Sequence, residues 1–301
     1  AQFRRPGLVI AASLWTLLAV PILICGAAIG LGGPQASQAL YLGLVLHAVA
    51  PPVIGSPALA ALMGLDAALS LATLIVATAA TPLTVPLLTA LFADSALDLS
   101  PFWLSIKLIA MLGGTALAAS AIRMIMGTEW VARRSAPIDG LSVIVLFVFA
   151  IGVMDGVGAE ILARPLLVAG LTVFVYALTI ALIAVTCVIF QRAERSPALA
   201  LGLAVGSRNM GLMVAAAGSA VPELTWLYFA VAQFPIYPLP HLLKPLIHRW
   251  LARGGLPAAR ARSAAVPLSS SPSAMRWRDA ADFCACTSIR AAAPQTAMRP
   301  A

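Results

Sequence analysis

Pro51-Pro52-Val53-Ile54-Gly55-Ser56-Pro57 falls inside an uncharged, apolar run that extends from 40 to 63. A run of that length is what a helix needs to cross a bilayer core about 30 Å thick. Proline, however, lacks the N–H that a helix uses and clashes with the carbonyl one turn back, so this helix has to break. If a second half-helix starts here, Ser56 is expected as its N-cap and Pro57 as its first residue, where a missing N–H costs nothing. Backbone groups freed at membrane depth are tolerated only against protein or a water-filled cavity, so the break predicts an internal site.

The rest of the chain supports a membrane setting. Of 301 residues, 61% are apolar and 10% charged, against roughly a quarter charged in an ordinary soluble domain. So few charges cannot cover a soluble surface of this size, which excludes a soluble enzyme, a nucleic-acid binder and a disordered protein. Eight apolar runs are long enough to span, at 8–32, 40–63, 67–92, 102–122, 140–154, 161–190, 197–219 and 224–248. None alternates at the period of 2 that a barrel strand needs. The fold expected is therefore an all-α integral membrane protein with eight transmembrane helices. Cys25 and Cys187 lie in apolar runs as small hydrophobes, and Cys284 and Cys286 lie in the tail, so no disulfide framework is expected.

Basic residues mark the cytoplasmic face of such a protein. Arg4, Arg5, Arg123, Arg133, Arg134, Arg192, Arg195, Lys244, Arg249 and Arg253 fall on one side of the eight runs. Arg164 falls on the other with Asp94, Asp98, Asp155, Glu160 and Glu223. Both ends are then cytoplasmic, and the location expected is the inner membrane of a cell. Asp66 stands in a cytoplasmic turn, and Trp103, Trp226 and Trp250 read as interface anchors. After Trp250 the composition turns to Arg, Ala, Ser and Pro, so 254–301 reads as a disordered cytoplasmic tail.

Matching interruptions in two halves of a membrane protein point to an inverted repeat. Arg5-Pro6 and Arg164-Pro165 each open a long run, Gly55-Ser56-Pro57 and Gly206-Ser207-Arg208 each interrupt one, and Pro82 and Pro235 each lie near the end of one. Their offsets are 159, 151 and 153 positions. Runs one to three then correspond to runs six to eight, entered from opposite sides. Residues 1–100 would be an incomplete N-terminal repeat of three helices and 101–253 a C-terminal repeat of five. Two further helices are expected before Ala1.

Ser207, Arg208 and Asn209 form the strongly polar cluster within an apolar run. An arginine at the centre of a membrane helix costs about 2.5–3.5 kcal/mol even on lenient scales, so it is expected to face inward with a partner. That partner is a substrate carboxylate, met bidentately, an acid in a structural ion pair, or freed carbonyls of the other broken helix. Asn209 can hold a substrate oxygen or tie the crossing helices together, and Gly206 and Gly211 are expected to let their backbones approach. Gln233, beside the Pro235 break, and Thr16 are further candidates for lining a cavity. Ser70 and Thr73 are expected to bond carbonyls of their own helix, and His47 reads as a satisfied packing residue ahead of a proton carrier.

Over residues 3–250 the chain resembles the bile acid:sodium symporter family, bacterial branch. The resemblance rests on Arg4-Arg5-Pro6 opening a helix with Pro21, on Pro52-Val-Ile-Gly55-Ser56-Pro57 followed by Asp66-Ala-Ala-Leu-Ser70, and on Gly206-Ser207-Arg208-Asn209-Met210-Gly211-Leu212. It implies ten helices in two inverted repeats of five, with the fourth and ninth interrupted and crossing near mid-membrane. It also implies that Ser56 and Ser70 match residues binding one Na+ and that Asn209 lies next to the substrate cavity. Together with Thr73 and Thr16 these serines are the candidate ion ligands. Pro57, Leu74, Thr16 and Ala204 depart from the family pattern, and Ala204 replaces a glutamate shared by both sodium sites.

The expected function is secondary active transport of a small organic anion by alternating access, with Ser56, Ser207, Arg208, Asn209 and Gln233 at the substrate. Coupling to Na+, to protons or to the substrate gradient alone stays open, and no other cofactor is implied. The alternatives are an exporter like the auxin efflux carriers, or a non-transporting sensor or decayed transporter. No nucleophile with a base, metal-binding histidine pair or phosphate loop is seen, so catalysis is not expected.

Overall fold

The computed structural model describes residues 6–93, 100–154, 157–218, 221–236 and 238–252. Arg4, Arg5, Asp94, Asp98, Asp155, Arg253 and the expected tail at 254–301 lie outside the described residues. About 89% of the structure is helical and none of it forms a strand. Five stretches, Pro6–Gly30, Ala67–Ala93, Pro101–Met126, Ser135–Ala163 and Pro165–Ile189, are long and apolar enough to cross a membrane. The chain is thus all-α, with the helices of a multi-pass membrane protein.

The first stretch is α1 (Pro6–Leu14) and α2 (Val20–Gly30), joined by one turn of π-helix at Trp15–Ala19. The expected run 40–63 is two helices, α3 (Gln38–Val49) and α4 (Ser56–Leu62). Next come α5 (Ala67–Ala93), α6 (Pro101–Met126), α7 (Ser135–Val153) and α8 (Pro165–Ile189). The expected run 197–219 is again two helices, α9 (Arg195–Gly206) and α10 (Met210–Ala217). The last run divides into α11 (Glu223–Ala232), a 3-10 turn at Phe234–Ile236, and α12 (Pro238–Ala252). By contrast, α5 runs unbroken through Pro82 and Pro86.

The core forms where α3 packs against α2, α5, α10 and α11, and where α9 packs against α8, α4 and α5. The two broken runs therefore exchange neighbours at their breaks: α9 lies on α4, and α10 lies on α3. Glycines seat α9 on α8. A Cβ on Gly206 would stand 2.7 Å from Cγ1 of Ile183, and one on Gly202 would stand 3.0 Å from the Ile183 carbonyl oxygen. Gly206 thus serves this contact rather than the expected approach of the two broken helices, and Gly211 faces Phe149. The long helices α6 and α7 expose most of their apolar side chains, Leu117, Met124, Ile144 and Phe147 among them.

Polar links hold the helices in register. Tyr41 Oη donates to the Phe92 carbonyl at 2.9 Å, Thr225 Oγ1 to the Ala39 carbonyl at 2.6 Å, and Trp15 Nε1 to Thr186 Oγ1 at 3.0 Å. Asp66 caps α5, its Oδ1 accepting from the Leu69 N–H at 3.0 Å. Leu65, Leu199 and Trp250 belong to one apolar cluster, and there the Arg195 guanidinium lies 5.0 Å over the Trp250 ring.

Candidate functional site

The helix α3 ends where the chain can no longer supply N–H donors. Ala50 turns to an extended conformation, φ −60° and ψ 140°, as a residue before proline prefers. On the other chain segment, Ser207 is extended after Gly206, and Asn209 starts α10 by accepting the Leu212 N–H on its Oδ1 at 3.2 Å. The two gaps run antiparallel. Val53 donates its N–H to the Ser207 carbonyl and Asn209 donates its own to the Pro51 carbonyl, both at 2.8 Å, forming an isolated bridge between Pro52 and Arg208. Each break thereby satisfies main-chain groups of the other, which is what an interior without water demands.

Arg208 is 1% exposed. Its Nη1 donates to the carbonyls of Ala50 at 2.8 Å and Thr16 at 3.2 Å. Both carbonyls are free for a reason written in the sequence. Ala50 ends α3 ahead of two prolines. In the π-turn the N–H of Val20 goes back five residues to the Trp15 carbonyl. The equivalent partner of Thr16 is then residue 21, a proline without an N–H. Arg208 therefore fills one position that Pro21 leaves without a donor and one that the end of α3 leaves open.

The other edge of the same guanidinium differs. Nε and Nη2 are buried and have no hydrogen-bond partner. These two parallel donors form the edge that grips a carboxylate side-on. Among the described residues no carboxylate pairs with it: Glu160, whose Oε2 is buried, spends Oε1 on Arg164 at 3.0 Å. Of the partners expected for Arg208, the structure places the freed carbonyls, on Nη1; the Nε–Nη2 edge bonds nothing.

The other expected site residues are placed unevenly. Ser56 is buried beside the crossing but does not cap α4: Gly55 holds that place, no side chain caps the helix, and the Ser56 hydroxyl has no partner. Its N–H turns back to the Val53 carbonyl at 2.9 Å, which puts Ser56 inside the helical turn. Ser207 is buried and contributes its carbonyl, and Asn209 spends Oδ1 on the cap. Thr16 joins the site through its carbonyl, since its hydroxyl donates to Ala12 O at 2.7 Å. Ser70 and Thr73 do not bond carbonyls of their own helix. Both hydroxyls are buried without a partner, whereas Thr81 and Thr89 on the same helix bond back one turn at 2.8 Å. Gln233 is half-buried at the end of α11, beside a turn that packs on α8, where Tyr176 Oη reaches the Phe234 carbonyl at 3.5 Å.

His47 is the residue that the sequence undervalued. Expected as satisfied packing, it is buried with no hydrogen-bond partner on either ring nitrogen. Tyr228 of α11 meets it edge-on, ring centres 5.9 Å apart, and the buried Tyr228 hydroxyl is also without a partner. Gly43, one turn earlier on α3, admits that ring, because a Cβ there would stand 3.0 Å from Tyr228 Cγ and Cδ1. The signal was Gly43-x-x-x-His47, a missing side chain one turn below an imidazole. No protein-family model matches the chain, and no curated protein matches it.

Proposed function

We propose that the chain is a secondary transporter that carries a small organic anion across a membrane by alternating access, with the crossing of α3–α4 and α9–α10 as its fixed binding site. Its eight runs, three of them broken, would all span, in two inverted halves with both described ends on the cytoplasmic side of an inner membrane. The observation that carries this proposal is the Arg208 guanidinium, buried, anchored by one nitrogen and offering an unpartnered Nε–Nη2 edge. A carboxylate on that edge would neutralise a charge that is costly at this depth. The N-terminus of α10 adds a favourable dipole beside it.

A sodium ion would want several oxygen ligands, and usually an anionic one. Ser56, Ser70 and Thr73 offer buried, unpartnered hydroxyls, but all are neutral, and among the described residues no buried carboxylate joins them. That set fits Na+ poorly, and no step of the cycle needs to run through it.

The test is uptake of radiolabelled lactate, gluconate, succinate and citrate by the full chain in proteoliposomes, with and without a sodium gradient. At least one probe should enter saturably, and Arg208→Lys should weaken its apparent affinity tenfold or more. A charge-assisted pair is worth about 1.5–3 kcal/mol, and lysine lacks the planar edge. Uptake unchanged by Arg208→Ala would remove Arg208 from the site and with it the proposed mechanism.

A further inference from the structure

His47 precedes Ala50 by three residues on α3, and Ala50 is the residue whose carbonyl holds Arg208. Residue 47 therefore sits about one helical turn along α3 from the carbonyl that anchors the guanidinium. Its two unpartnered nitrogens and the unpartnered Tyr228 hydroxyl are expensive in a dry interior, where an orphaned polar group costs roughly 1–3 kcal/mol. Packing alone does not need them, since phenylalanine at either place would fill similar space without the cost. We infer that His47 is the proton-carrying residue of the transport cycle, loading one proton with each carboxylate bound at Arg208. This rests on the transporter proposed above and names the ion that drives it.

The charges facing His47 make the coupling. On α3 itself the other titratable group is Tyr41. From α11 come Tyr228 and, in the exposed first turn, Glu223; from α2, Cys25; and from the crossing, Arg208. The helices α5 and α10, which also pack on α3, carry no titratable side chain. With the site empty, Arg208 supplies one positive charge, and a second on His47 would be repelled. A carboxylate on the Nε–Nη2 edge cancels the first charge, so the imidazole takes a proton from the side to which the site is open. Empty and loaded sites then carry the same net charge. On release to the opposite side the anion leaves, the repulsion returns, and the proton departs to that same side. One anion and one proton cross together, and no other reactant is consumed.

The experiment uses the full chain in proteoliposomes, with whichever of the four carboxylates shows Arg208-dependent uptake. A pH gradient is imposed, acid on the side of entry, with no sodium gradient. A monoanion should accumulate about tenfold per pH unit, as one proton per anion requires. His47→Gln should abolish this accumulation while probe-for-probe exchange, which needs no net proton movement, falls threefold or less; a structural role would lose both together. Independently, adding the probe to wild-type protein in weakly buffered detergent should take up about one proton per bound probe, read with a pH indicator. Accumulation that follows a sodium gradient and ignores pH, accumulation retained by His47→Gln, or binding without proton uptake would each overturn the inference while leaving transport standing. Absence of Arg208-dependent uptake for every probe would instead overturn the transporter and the inference together.

Discussion

The N–H of Val53 donates to the carbonyl of Ser207 at 2.8 Å, joining two residues 154 positions apart through main-chain atoms alone. The bond belongs to the backbone of position 53, so the side chain there is incidental. Val53→Pro, which deletes the donor after a proline that already favours an extended chain, should lower stability by about 1–2 kcal/mol. Val53→Ala should cost clearly less. Thermal unfolding of the detergent-solubilised protein checks the pair, and equal losses would deny the bond its role.

Pro21 and Arg208 should be coupled although they belong to different helices. Alanine at 21 restores an N–H that can reach the Thr16 carbonyl, the group that Arg208 now fills. Arg208→Ala should therefore cost about 1 kcal/mol less in a Pro21→Ala background than in the wild type. A double-mutant cycle on unfolding free energy measures this, and simple additivity would mean that the proline does not free the carbonyl.

Gly206→Ala should destabilise by about 1–3 kcal/mol, because the new Cβ meets the branched, stiff Ile183 at 2.7 Å rather than the tip of a flexible chain. Ile183→Ala in the same molecule should recover part of that loss. Gly114→Ala is the contrast: nothing stands within 4 Å of its Cβ position in the middle of α6, so alanine should gain up to about 1 kcal/mol from helix propensity. Melting temperatures of the three variants decide it.

Ser70→Ala and Thr73→Val each remove a buried hydroxyl that bonds nothing. With no ligand to serve, each should leave stability unchanged or raise it by about 1 kcal/mol. Wild-type protein should melt at the same temperature in sodium chloride and in choline chloride of equal ionic strength. A sodium-specific rise that vanishes in Ser70→Ala would establish a cation site among these hydroxyls and argue against proton coupling.

What the sequence made legible follows from how local each signal is. The break after Ala50 and the break at Ser207 could be read because proline and a polar triplet in an apolar run act on their own helix, whatever surrounds them. That Arg208 would bond freed carbonyls of the other broken helix was also within reach, since a buried arginine needs acceptors. The second acceptor was not. The Thr16 carbonyl is freed by a π-turn, and the shift from four-residue to five-residue bonding leaves no mark that Pro21 alone would reveal. Ser56 looked like a cap by spacing, but a cap depends on the torsions of one residue, and the turn back to Val53 made that residue Gly55. His47 was legible as a histidine in a greasy helix. Its missing partners depend on what α11 presents across the interface, which no pattern within α3 contains.

The two backbone bonds at the crossing work like an axle whose bearings are indifferent to what hangs from them. Neither depends on the identity of a side chain at 51, 53, 207 or 209, provided that 53 and 209 keep an N–H. Mutation can therefore restyle the side chains around the axle without dismantling the joint itself. The chemistry hung on such a joint can change faster than the skeleton that carries it.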